Sequence, residues 1–111
     1  MTGSRPYLAQ TIETARVLGL RVSVGRRERR LRADELAERA GIDVKTLRKV
    51  ERGDPSVALG TALDVAALVG VSAFGVSLEA LTALAARETD RDVRLPLRVR
   101  SRSKLDEELD G

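Results

Sequence analysis

Residues Ala33 to Gly53 read ADELAERAGIDVKTLRKVERG, and this stretch decides the fold. It predicts a helix, a tight turn and a second helix. Leu36, Ala37 and Ala40 fall on one face of the first helix. Gly41 stands where the chain must turn, and glycine takes a positive φ there without steric cost. Ile42 plugs the corner. Asp43 is a good N-cap, because its carboxylate accepts from a free backbone N–H one turn on. Leu47 and Val50, three residues apart, then face back toward Leu36 and Ala37.

A helical hairpin that only packs would satisfy the same apolar spacing. The outer face of the second helix argues for more, since it carries Lys45, Thr46, Arg48, Lys49 and Arg52. The stretch closes with Glu51-Arg52-Gly53, and a basic run precedes it. Together these features read as a helix-turn-helix, which lays its second helix in the major groove of DNA.

Composition sets the bounds. With 111 residues, the chain supports one small domain with a modest core. Tyr7 and Phe74 are the only aromatics, so the core must be Leu, Val and Ala, which suits helices. There is no Cys and no His, which removes disulfides, thiolate or imidazole metal sites and the usual general bases. No cofactor or metal is expected, and an enzyme is not. A carboxylate pair such as Glu35 and Glu38 lies on a charged helix face and reads as solvated surface. No apolar run is long enough to span a membrane and the N-terminus lacks a signal-peptide core, so a cytoplasmic protein is expected.

The net charge of +3 hides an asymmetry. Residues 1–53 hold 13 Lys and Arg against 7 Asp and Glu, while residues 54–92 hold 2 against 6. The positive field therefore surrounds the motif, as expected for a surface facing phosphates.

Along the chain, residues 1–10 read as a polar lead. A helical period runs from Thr11 to Arg30 through Ile12, Ala15, Leu18 and Val22. Gly19 and Gly25 weaken this helix by up to roughly 1 kcal/mol each, which points to close packing or a distortion. Arg26, Arg27, Arg29, Arg30 and Arg32 cluster at its end, where cations also suit the helix macrodipole. Asp54-Pro55-Ser56 is a turn. A fourth helix is expected from Leu59 to Val69 with Leu59, Leu63, Ala66 and Val69 or Ala67 inward, and Phe74 in the next loop as an anchor against the core. Ser77 and Glu79 open a fifth helix carrying Leu78, Leu81, Leu84 and Ala85, which ends near Arg87. Then Val93 to Arg100 alternates strictly, which is a strand pattern restricted by Pro96 to an edge; with no partner strand in its own chain, the segment is either disordered or paired with a copy from another subunit. The working division is a helix-turn-helix domain over 11–88, a dimerisation strand over 89–100 and a disordered tail over 101–111.

These residues carry a resemblance. Leu18-Gly19-Leu20-Arg21-Val22, Arg26-Arg27, Glu35 to Gly41 and Leu47 to Ser56 resemble the Cro/repressor (XRE) helix-turn-helix family. Val57 to Thr61, Ala66 to Val71 and Leu97-Arg98-Val99-Arg100 before an acidic end are similar to the branch that partners HipA-type toxin kinases as antitoxins. The family resemblance implies an all-α, five-helix domain, dimerisation and repression at an inverted-repeat operator in double-stranded DNA. The antitoxin branch implies neutralisation of a HipA-like toxin and a C-terminal β-strand paired across the homodimer. The family resemblance also implies that Arg26 and Glu51 meet in a partly buried ion pair.

There are departures from the family. Arg32 stands where Ser or Thr usually caps the first motif helix, and Ala33 replaces a Gln that often touches DNA. Val44 cannot hydrogen-bond a base edge, although it suits a thymine methyl. The expected DNA-contacting set is Arg32, Asp43, Val44, Lys45, Thr46, Arg48, Lys49 and Arg52. The expected dimer surface is Phe74, Leu78, Leu81 and Leu84, with Val93, Leu95, Leu97 and Val99 from the strand. The alternatives are a stand-alone XRE regulator without a toxin and a protein-interaction module that has lost DNA binding.

Overall fold

The computed structural model describes residues 6–99 and contains five helices. They are α1 (Ala9–Glu28), α2 (Ala33–Ala40), α3 (Val44–Glu51), α4 (Leu59–Leu68) and α5 (Leu78–Arg94). The chain divides into two compact units, residues 1–76 and 77–111.

In the first unit α1 packs on α3 and α4, and α2 packs on the same two helices. The core where they meet is aliphatic: Val22, Leu36, Ala37, Leu47, Val50, Val65, Ala66 and Val69 are buried. Burying each of the larger side chains contributes about 1.5–3 kcal/mol. Leu18, Ala40, Ile42, Val44, Val57, Ala62 and Val71 pack around this cluster and close its edge.

Gly19 and Gly53 explain how α1 reaches α3. A Cβ on Gly19 would run into the Val50 carbonyl and lie 2.8 Å from that of Glu51, and a Cβ on Gly53 would lie 2.6 Å from the Arg16 Cα. The two backbones meet where neither has a side chain.

One device ends all four helices of this unit. After α2, the Ile42 N–H donates to the Ala37 carbonyl (3.0 Å) and the Gly41 N–H to that of Glu38 (3.1 Å). The same pair of bonds recurs around Arg30 after α1, Gly53 after α3 and Gly70 after α4. This is the Schellman ending, which satisfies free carbonyls by placing one residue in the left-handed region.

Several expectations need correction. α1 begins two residues before the expected Thr11 and ends at Glu28 rather than Arg30. Leu59 is 73% exposed and Leu63 also lies outward, because the inward face of α4 is Ala62, Val65, Ala66 and Val69. Phe74 is 76% exposed and anchors nothing in the core. The expected strand is not seen among the described residues. Val93 and Arg94 continue α5, and Leu95 to Val99 is irregular. At Val93 and Arg94 the helix propagates instead, since each added residue gains an intrahelical bond while a lone strand leaves its own backbone unpaired. The end of that expected strand at Arg100 and the tail over 101–111 lie outside the described residues.

The second unit consists, among the described residues, of α5 and Leu95 to Val99. Ser77 caps it, its Oγ accepting from the Ala80 N–H at 3.2 Å. Leu81 and Leu84 are half-buried, Leu78 and Val93 are exposed, and no residue of α5 is fully buried.

Candidate nucleic-acid interface

The site is α3 and the turns that orient it. α2 stops at Gly41, whose φ of 70° turns the chain, and Ile42 drops onto the core. The Asp43 Oδ1 accepts from the Thr46 N–H at 2.7 Å, which fixes the first turn of α3. That hydrogen bonding to Thr46, helped by the charges of Lys45 and Lys49, holds the Asp43 carboxyl below its ordinary value.

With its start fixed, the eight residues of α3 are two-sided. Leu47 and Val50 are buried in the core, and Val44 packs against its edge. Lys45, Arg48 and Arg52 are exposed, while Thr46 and Lys49 are half-buried beside them. None of these four cations forms an ion pair with a described carboxylate. Of the expected DNA-contacting set, Lys45, Arg48 and Arg52 thus point fully to solvent from one short helix and its cap. Val44 is partly consumed by packing and Asp43 by capping.

Arg32 occupies a different environment. It is the N-cap residue of α2, and its backbone N–H donates to Glu35 Oε1 at 2.9 Å. The reciprocal bond of a capping box is unavailable, because a guanidinium has no acceptor. Its Nε instead donates to Asp34 Oδ1 at 3.1 Å, so its charge is partly neutralised on the surface.

Arg26 and Glu51 lock the frame. The Arg26 Nε donates to Glu51 Oε2 at 2.7 Å and its Nη2 to Oε1 at 3.1 Å. Its Nη1 also donates to the Leu31 carbonyl at 3.0 Å. One guanidinium therefore ties the end of α1, the turn into α2 and the end of α3. Both side chains are about 15% exposed, and the hydrogen bonds to Glu51 raise the Arg26 pKa. Sequence reading did not supply the third bond, because a backbone carbonyl at a turn leaves no mark in residue types.

Reading the sequence placed Arg30 in the basic cluster but missed its backbone conformation. Its φ of 55° makes it the only described non-glycine residue in the left-handed region. The signal was available in principle, since it occupies the position that Gly41, Gly53 and Gly70 hold after the other helices.

Among the described residues no helix is long and apolar enough to cross a membrane. Nor do the described residues gather three side chains able to hold a metal ion.

Two short helices at a left-handed glycine turn, the second with a basic outer face, define a helix-turn-helix protein. Residues 25–76 match the helix-turn-helix family, and the chain belongs to it. Over 65 residues it is 35% identical to an uncharacterized HTH-type transcriptional regulator, y4mF, of Sinorhizobium fredii, an alignment spanning 59% of this chain and 86% of that protein. No solved structure is significantly similar to the chain.

Proposed function

We propose that the protein is a sequence-specific DNA-binding transcriptional repressor that lays α3 in the major groove. The observation that carries this reading is the two-sidedness of α3. Its inner residues are sealed in the core while Lys45, Arg48 and Arg52 face solvent without carboxylate partners among the described residues. Phosphate contacts from these cations supply most of the affinity, and Lys45 and Thr46, on the first turn, reach base edges.

One eight-residue helix reads few bases. The reading therefore includes a two-fold homodimer on an inverted-repeat operator, with half-sites about 34–36 Å apart. Phe74 and Leu78 are each exposed apolar side chains available for such a contact. The finer assignment is an autorepressing antitoxin that also binds a HipA-like toxin kinase, and it rests on the quoted resemblance from Val57 onward. Co-purification with the product of an adjacent kinase-like gene tests that part.

Lys45→Ala tests the core of the proposal. It is expected to weaken binding to the DNA upstream of the protein's own gene by about 1–3 kcal/mol, roughly 5- to 150-fold in Kd. Fluorescence anisotropy at fixed salt measures it. A parent protein that shows no salt-dependent duplex binding would instead be a protein-interaction module, and the proposal would fail.

A further inference from the structure

We infer that Arg30 is a DNA-phosphate contact, held at the turn between α1 and α2 at a cost in stability. The inference rests on the DNA-binding reading above and adds a residue to it.

Four helices of the first unit end in the same pair of backbone bonds, and each needs one residue in the left-handed region. Three of those residues are Gly41, Gly53 and Gly70, at φ of 70° to 75°. The fourth is Arg30, at 55°. A side chain with a Cβ is strained in that region, and glycine is not. The fold therefore keeps an arginine where its own pattern favours glycine, and an observed outlier of this kind is grounds for seeking a role.

Arg30 is exposed, and among the described residues its guanidinium makes neither a hydrogen bond nor an ion pair. Its neighbours behave differently. Arg27 Nε donates to the Ser23 carbonyl at 3.3 Å and Arg29 Nη1 to that of Gly25 at 3.4 Å, so both return to α1. Arg32 is paired with Asp34. Among the described residues Arg30 thus carries a charge without a carboxylate partner at the turn.

That turn is not free to wander. The Arg26 guanidinium binds the Leu31 carbonyl, the residue after Arg30, while gripping Glu51 at the end of α3. The backbone carrying Arg30 is therefore indexed to the helix proposed to enter the groove. A strong cation fixed in register with that helix is suited to a phosphate oxygen of the flanking backbone. Ala33, close by at the start of α2, has no polar side chain to share the task.

A structural role and a phosphate role move two measurements differently, and Arg30→Gly separates them. The variant is expected to melt a few degrees higher than the parent, because the strain is relieved. The same variant is expected to bind both the upstream duplex and an unrelated duplex of about 30 base pairs some 3- to 10-fold more weakly. Its slope of log affinity against log salt should be shallower by about 1. Arg30→Lys, which keeps charge and strain, is expected to hold the parent's melting temperature and slope. Unchanged affinity and slope in Arg30→Gly, with the parent binding DNA, would overturn the inference, as would an equal loss in Arg30→Lys. A parent that binds neither duplex would instead sink the DNA-binding reading.

Discussion

The unit formed by α1 to α4 and the helix α5 are built from similar residues and end in different conditions. The first has two eight-residue helices, shorter than the ~12–15 residues at which an isolated helix becomes even marginal in water. They persist because Leu36 and Leu47 are wholly withdrawn from water, and because a cap and a left-handed turn satisfy their ends. α5 has 17 residues, a Ser77 cap and acid–base pairs such as Arg91 with Glu88 and Arg94 with Asp90, yet it contains no buried residue. Short helices in a sealed core owe their stability to tertiary contacts. The long helix is supported by its own backbone, its cap and pairs worth only a few tenths of a kcal/mol each.

The sharpest way to break this contrast is to cut one leucine from each region. Leu47→Ala is expected to cost about 3–5 kcal/mol in chemical denaturation, because a fully buried side chain leaves a cavity. Leu78→Ala, at a side chain 78% exposed, is expected to change stability by less than about 0.5 kcal/mol in dilute solution. At higher concentration it should weaken self-association in sedimentation experiments if α5 supplies the dimer contact. Equal costs for the two variants in dilute solution would show that α5 belongs to a packed core.

A smaller effect tests what holds the first unit in register. Glu51→Ala strands the Arg26 guanidinium, which is mostly removed from solvent, and is expected to destabilise by roughly 2–4 kcal/mol. The double variant Arg26→Met with Glu51→Leu is expected to lose less, since no charge is left without its partner. A thermal melt of Glu51→Ala that matches the parent would demote the pair to the ~0–1 kcal/mol of a surface contact.

The smallest expected effect concerns acid. Asp43, Asp34 and Asp54 have carboxyl pKa values below the ordinary 3.8, because each accepts hydrogen bonds in the folded chain. A carboxyl lowered by folding stabilises above its unfolded pKa, and that stability is lost as pH falls through the lowered folded value. The first unit should therefore lose stability on acidification below about 3.8. Asp43→Asn retains an N-cap acceptor and cannot titrate, so melts in acid should fall less steeply for this variant than for the parent. Identical acid limbs would place the sensitive group elsewhere.

The helix-turn-helix was legible because its determinants are local. Gly41 at the turn, Asp43 at the cap and the spacing of Leu36, Ala37, Leu47 and Val50 each act within a few residues, so reading them requires no knowledge of the rest of the fold. The charge of α3 was legible for the same reason, since an eight-residue helix with two buried positions must present its remaining residues elsewhere. The inward face of α4 was misread at Leu59 and Leu63 because seven of the ten residues of LGTALDVAAL are Leu, Val or Ala, so periodicity gives little direction there. The partners α4 meets select Val65, Ala66 and Val69 and leave Leu59 outside. The alternation after Asp92 was read as a strand because period two is a local signal, whereas strand formation needs a second chain segment to pair with.

By itself the sequence determined where the two motif helices begin, turn and stop, because caps and glycine turns are short-range chemistry. Only the tertiary structure decided that Gly19 and Gly53 meet backbone against backbone, that Arg26 reaches both Glu51 and the Leu31 carbonyl, and that Arg30 takes a glycine's conformation. Those three facts depend on how far one helix stands from another. Separation in space follows from the packed core as a whole and leaves no local trace in residue order.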